Sequence, residues 1–198
     1  MAKNVIVLLA EGFEEVEAIT PVNYLRRAGL EVTSAAVGQK GAGAEALLVR
    51  GSRGIPIAAD TALENLAAEQ KLRPADWDAV VIPGGLPGAD NLAASPETGA
   101  FLKAMAAAGK LVCAICSAPA RVLAPLGLLA GKRYTCFPGE EANVTVTDAE
   151  WTQDRVVVDG NIITSRSAGT TGEFACAIIA KLVGEDEAKK LAERILLK

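Results

Sequence analysis

Short runs of unbroken apolar residues alternate along the chain with longer segments patterned for helices. Residues 5–9, 79–82 and 111–115 are apolar almost throughout, and strands of that kind are covered on both faces. Residues 31–37 read as a further strand, with Val32 and Val37 bracketing small side chains. Short β pieces at 47–49 and 55–57 flank Gly51-Ser52-Arg53-Gly54, and 133–137 and 144–146 read as short strands or extended stretches. A hairpin is expected from 155–158 and 161–164 around Asp159-Gly160.

Helices are expected over 14–28, interrupted by Pro21 and stopped at Gly29, and over 62–70. Others are expected over 96–108, 117–126, 171–183 and 185–197, with a Gly/Ala loop at 40–46. Strands separated by helices pair in parallel through right-handed crossovers. The pattern therefore predicts an α/β fold, a doubly wound three-layer sandwich with a mostly parallel central sheet, as one domain over residues 1–198.

Composition narrows the function. Hydrophobic residues make up 51% of the 198, enough to build a core and to exclude disorder. No apolar run reaches the roughly 18 residues of a membrane helix; the richest stretch, 111–130, is broken by Pro119, Arg121 and Pro125. A net charge of −4 without a basic stripe argues against nucleic acid as a partner. The first residues run straight into a strand with no signal-peptide pattern, so the cytoplasm is expected, and the four cysteines read as free thiols. There is no histidine. Cys-His and Ser-His pairs and His-bearing metal sites are thereby excluded, even with residues from a second copy of the chain.

In open α/β sheets, ligands bind beyond the carboxyl ends of the strands. Three segments compete for that place. Cys116 follows the 111–115 strand directly and precedes the expected helix, with Ala114 and Ala118 as small flanks. That is the pattern of a nucleophile elbow. A thiol at a helix start is expected to have its ionised form stabilised by free N–H groups. The alternative, a buried inert cysteine, is the commoner fate of an arbitrary Cys. Cys113 makes a C-x-x-C with Cys116 but falls inside the strand, so it reads as core, as do Cys136 and Cys176 or their near surroundings.

The second segment carries Glu11, Glu14, Glu15 and Glu17 where a helix begins. Dipole compensation accounts for some of them. Glu17 lies one turn in; if it points toward Cys116 it is desolvated, its pKa rises, and it becomes a proton donor or carrier. The third segment is Pro83-Gly84-Gly85. Its glycines allow close backbone approach, and the N–H groups of Gly85 and Ser117 would together form an oxyanion hole, unless the segment is a plain turn.

Residues 9–18, Val81-Ile82-Pro83-Gly84-Gly85, Ala114-Ile115-Cys116-Ser117-Ala118-Pro119 and Thr164-Ser165-Arg166-Ser167-Ala168-Gly169-Thr170 closely resemble the ThiJ/PfpI superfamily, and within it the parkinsonism-associated deglycase branch. The resemblance spans nearly the whole chain. It implies a flavodoxin-like fold, related to the class I glutamine amidotransferases, and a homodimer. It makes Cys116 the reactive cysteine, Glu17 its buried protonated partner, and Gly85 and Ser117 the adjacent backbone donors. Arg53 matches an Arg at the pocket mouth near the dimer interface, and Gly84 and Phe137 fall in the pocket. Phe137 stands where relatives carry His, and Ala168 where they often carry Pro. The expected activity is a cofactor-free glyoxalase or deglycase acting on small reactive carbonyls or their adducts, without a metal. The missing histidine argues against a peptidase. The alternatives are an oxidative-stress sensor or redox-regulated chaperone on the same thiol, and a plain interaction module.

Overall fold

Alternate residues of the first strand go to opposite faces of one sheet. Val5, Val7 and Leu9 join one buried cluster, and Ile6, Leu8 and Ala10 the other. That division explains the unbroken apolar run: neither face meets water.

The computed structural model of the protein describes residues 2–38 and 43–197. In chain order the first half holds β1 (Asn4–Ala10), α1 (Glu15–Arg27), β2 (Glu31–Val37), β3 (Leu48–Arg50), β4 (Pro56–Ala58), β5 (Thr61–Ala62) and α2 (Leu63–Ala68). It continues with β6 (Ala79–Ile82), α3 (Gly88–Ala94), α4 (Pro96–Ala107) and β7 (Leu111–Ile115). The last part holds β8 (Arg133–Tyr134), β9 (Glu150–Trp151), β10 (Val156–Asp159), β11 (Ile162–Ser165), α5 (Thr171–Val183) and α6 (Glu185–Arg194). Among the described residues seven strands form the central sheet in the order β10-β11-β7-β6-β1-β2-β5. All its pairings are parallel except β10 with β11. Helices α1, α5 and α6 pack on one face, and α2, α3 and α4 on the other. The flavodoxin-like three-layer expectation holds.

From β1 the chain winds outward to β2, then returns to lay β6 on the opposite side of β1. This reversal opens a crevice at the carboxyl ends of β1, β6 and β7, the place where such sheets bind ligands.

Several expected elements differ. The helix expected over 117–126 is a single π-turn, Pro119–Leu123; Pro125 has no N–H for the Arg121 carbonyl one turn earlier, which a regular ladder would need. Helix α1 runs through Pro21, although that residue has no N–H for the Glu17 carbonyl one turn earlier. The 133–137 strand shrinks to β8, and 144–146 is extended without a ladder. Helix α3 is additional. Of the 40–46 loop, residues 40–42 lie outside the described residues and Gly43–Leu47 is a 3-10 turn. No helix among the described residues is long and apolar enough to cross a membrane.

Candidate active site

Cys116 follows β7 with φ +65°, a left-handed conformation that costs an L-residue roughly 1–2 kcal/mol. Strand β11 and the loop bearing Phe137 hold it there. Its N–H donates to the Ser165 carbonyl at 2.9 Å, and its own carbonyl accepts from the Phe137 N–H at 2.7 Å. The turn projects the side chain into the crevice, half-buried, while Cys113 is sealed in the core below. Cys136 is likewise sealed, and Cys176 is half-buried against the α5 side of the core. All four are free thiols.

Glu17 reaches the crevice from the first turn of α1 and is 0% exposed. Glu14 caps that helix: its Oε2 accepts the Glu17 N–H at 2.7 Å. One Glu17 oxygen, Oε2, accepts the Gly84 N–H at 2.9 Å. The other, Oε1, is buried without a hydrogen-bond partner, and the carboxyl as a whole meets the Cys116 thiol. Burial pushes the Glu17 carboxyl up to about 7 from an ordinary 4.5; the thiol contact pulls it down and the Glu14 carboxylate pushes it up further.

The thiol departs from the expectation of a helix start that depresses its pKa. Burial pushes Cys116 up, and the Glu17 carboxylate pushes it further; only the Ser117 and Gly85 N–H groups pull it down. The reason is structural. A five-residue π-turn supplies no long aligned helix, and two acids that share a buried contact resist ionising together.

Gly84 does not line the pocket as expected. It serves the site from behind, bonding Glu17 through its N–H and accepting the Glu14 N–H at 2.9 Å. A Cβ there would stand 2.6 Å from the Cys116 Cβ and 2.9 Å from Glu17 Oε2. Gly85 has φ +87° and carries its N–H toward the sulfur.

Around the thiol lies a cavity of about 340 Å³. Cys116, Glu17, Gly85, Ser117, Arg53 and Phe137 all border it, so the sequence-predicted residues other than Gly84 converge on one space. Ser117 contributes its backbone, since its hydroxyl oxygen is buried and unpartnered. Phe137 remains 43% exposed as one wall. Arg53 is an exposed cation at the mouth, held by a carboxylate that sequence reasoning left among the dipole-compensating acids. Buried Glu15 accepts the Arg53 N–H at 2.8 Å and the Ile55 N–H at 3.2 Å, and Gly51 is bare where it passes that carboxylate. Glu14, Glu140 and Ala168 were missed as part of the site. The Ala168 N–H also reaches Glu17. Among the described residues no three Cys, Asp or Glu side chains cluster as metal ligands would.

A thiol on a strained strand-to-turn junction, backed by a buried acid at the switch point of a doubly wound sheet, defines a cysteine-centred α/β protein of the amidotransferase-like class. Residues 3–181 match the DJ-1/PfpI family, and the chain belongs to it. It is 38% identical over 198 residues to Protein dj-1beta of Drosophila melanogaster, covering 100% of this chain and 98% of that one. It is 33% identical over 196 residues to the glutathione-independent glyoxalase DJR-1.2 of Caenorhabditis elegans, covering 98% and 97% of the two chains. The solved structure of oxidized Toxoplasma gondii DJ-1 superposes with a TM-score of 0.88 at 36% identity, covering 98% of both chains.

Proposed function

We propose that the chain is a cofactor-free glyoxalase or deglycase of the cytoplasm. Its substrates are methylglyoxal, glyoxal or their adducts on thiols and amines, and its product is a hydroxy acid such as lactate. The observation that carries this reading is the Glu17 carboxyl, fully buried and in contact with the Cys116 thiol beside an open cavity. A glyoxalase among relatives of nearly equal length supports it.

As pH rises through about 7 the buried pair takes on one negative charge. In the reactive form the proton rests on Glu17 and the charge on the sulfur, which is held by the Ser117 and Gly85 N–H groups. The thiolate attacks the aldehyde carbon, and the C=O pair becomes an oxyanion that takes the Glu17 proton. The Glu17 carboxylate then removes the hydrogen from that carbon, leaving an enediol. Returning the proton to the neighbouring carbon gives a 2-hydroxy thioester. Water splits the thioester into hydroxy acid and free thiol, so the sum is dicarbonyl plus water. In an amine adduct, the amine leaves and the same steps follow.

Supplying methylglyoxal to purified protein and measuring lactate tests this reading. Equal turnover by the wild type and Cys116→Ala refutes it. The Ser117 and Gly85 donors also favour a second reading, because they point at the sulfur itself. Thiolate attack on a peroxide, with water or alcohol leaving, yields a sulfenate that those N–H groups would hold, as a redox sensor requires. Selective gain of oxygen at Cys116 under mild peroxide, with no lactate formed, supports the sensor instead. The family resemblance also supports a homodimer. Val16, Ile19 and Ile55 are exposed apolar residues on α1 and its neighbouring loop, and sedimentation at graded concentration tests whether a second copy covers them.

A further inference from the structure

Arg121 lies one turn beyond Cys116, on the π-turn Pro119–Leu123, and its backbone N–H donates to the Ser117 carbonyl at 2.9 Å. Its guanidinium grips Glu140 with a pair of hydrogen bonds, Nε to Oε2 at 2.9 Å and Nη2 to Oε1 at 3.0 Å. The remaining nitrogen, Nη1, donates to Asp90 Oδ1 on α3 at 3.0 Å. Glu140 lines the cavity, with its side chain only 13% exposed. Its backbone N–H donates to the Phe137 carbonyl at 3.0 Å, and the Phe137 N–H donates to the Cys116 carbonyl.

These contacts close a ring that runs from Cys116 through Ser117, Arg121, Glu140 and Phe137 back to Cys116, with Asp90 tying it to α3. A two-pronged Arg–carboxylate pair fixes orientation as well as distance. Within the ring it is the side-chain link between the nucleophile's turn and the segment bearing the Phe137 wall. Phe137 is large, apolar and half-exposed, so small displacements of its backbone change the width of the opening.

We infer that Arg121 is a positioning residue that holds the Phe137 wall through Glu140. It thereby sets the size of carbonyl compound that reaches Cys116, admitting small dicarbonyls and turning away those with an aromatic arm. The substrate half of this statement rests on the carbonyl-processing reading above; the wall half does not.

The test measures alkylation of Cys116 by iodoacetamide and by N-benzyl iodoacetamide, with peptide mapping to separate it from Cys176. The ratio of bulky to small rate is expected to rise roughly tenfold in Arg121→Leu, less in Glu140→Gln, and to return most of the way in Arg121→Lys. A ratio within about twofold of wild type in Glu140→Gln and in any folded Arg121→Leu overturns the inference. Should Arg121→Leu fail to fold, Glu140→Gln decides alone. In a second arm, the phenylglyoxal-to-glyoxal ratio of kcat/KM is expected to rise in the same variants. A raised alkylation ratio with no turnover even by wild type upholds the wall and overturns the carbonyl reading. Turnover with an unmoved ratio in both arms does the reverse.

Discussion

Replacing Glu17 by Gln keeps the shape of the side chain and removes its proton chemistry. The carboxyl titrates at about 7 in the fold against 4.5 ordinarily, chiefly because it is buried. Between those values the folded chain keeps a proton that the unfolded chain has released. Stability contributed by this group is therefore fully present below about pH 4.5 and is lost as pH rises through about 7, by about 3 kcal/mol in all. For a chain of this size that is roughly 6–12 °C in Tm. Asp60 and Asp78 act in the opposite sense and in another window. Their hydrogen bonds and cationic neighbours hold them below 3.8, so their stabilisation is lost only as pH falls through those lowered values. Urea unfolding of wild type and Glu17→Gln from about pH 5 to about pH 8 should thus show the variant gaining on wild type by about 2.5 kcal/mol, the rest of the loss lying below pH 5. Iodoacetamide labelling gives a second reading of the same proton. The wild-type rate at Cys116 should inflect near 7, where Glu17 gives up its proton, and that inflection should be absent from Glu17→Gln, whose amide does not titrate. Parallel stability curves for the two proteins, or an unmoved labelling profile, would refute the shared-proton account.

Other outcomes follow from the same geometry. Cys116→Gly should be about 1 kcal/mol more stable than Cys116→Ala in urea melts, since φ +65° suits glycine, and both should lose lactate formation from methylglyoxal. Gly84→Ala should cost about 1–3 kcal/mol and slow Cys116 labelling, because the added methyl meets both the Cys116 Cβ and Glu17; an unchanged melt and labelling rate would count against the packing described. Glu15→Ala strips the loop of a buried acceptor for two backbone N–H groups and should lower stability by about 1–3 kcal/mol. In the same variant faster hydrogen exchange should be confined to residues 51–55, and protection equal to wild type there would overturn the role given to Glu15.

The strands were legible because burial on both faces leaves no room for polar residues, and β1, β6 and β7 are apolar for that reason. Cys116 was legible because its constraint is local: a strand end, small flanks and a turn. Helix α3 was not, since Gly88, Asp90 and Asn91 form helices poorly and only Ala89 and Leu92 face the core from its middle. The four acids after β1 show where sequence runs out. Glu15 and Glu17 are about 200° apart around a helix, so when one turns toward Cys116 the other must turn away, and composition does not say which. The choice falls to distant partners, the Gly84 N–H for Glu17 and the 51–55 loop for Glu15. Glu140 and the place of Ala168 at the cavity were not legible for a related reason, since each reaches the cavity through bonds to segments far away in the chain. With no imidazole anywhere in the sequence, proton traffic at Cys116 needs a group whose proton is held loosely near neutrality. Among the carboxylates bordering the cavity, Glu17 is the one that faces the sulfur and is fully removed from water. Its burial, which costs the fold stability above neutral pH, is the same property that keeps a transferable proton beside the thiol.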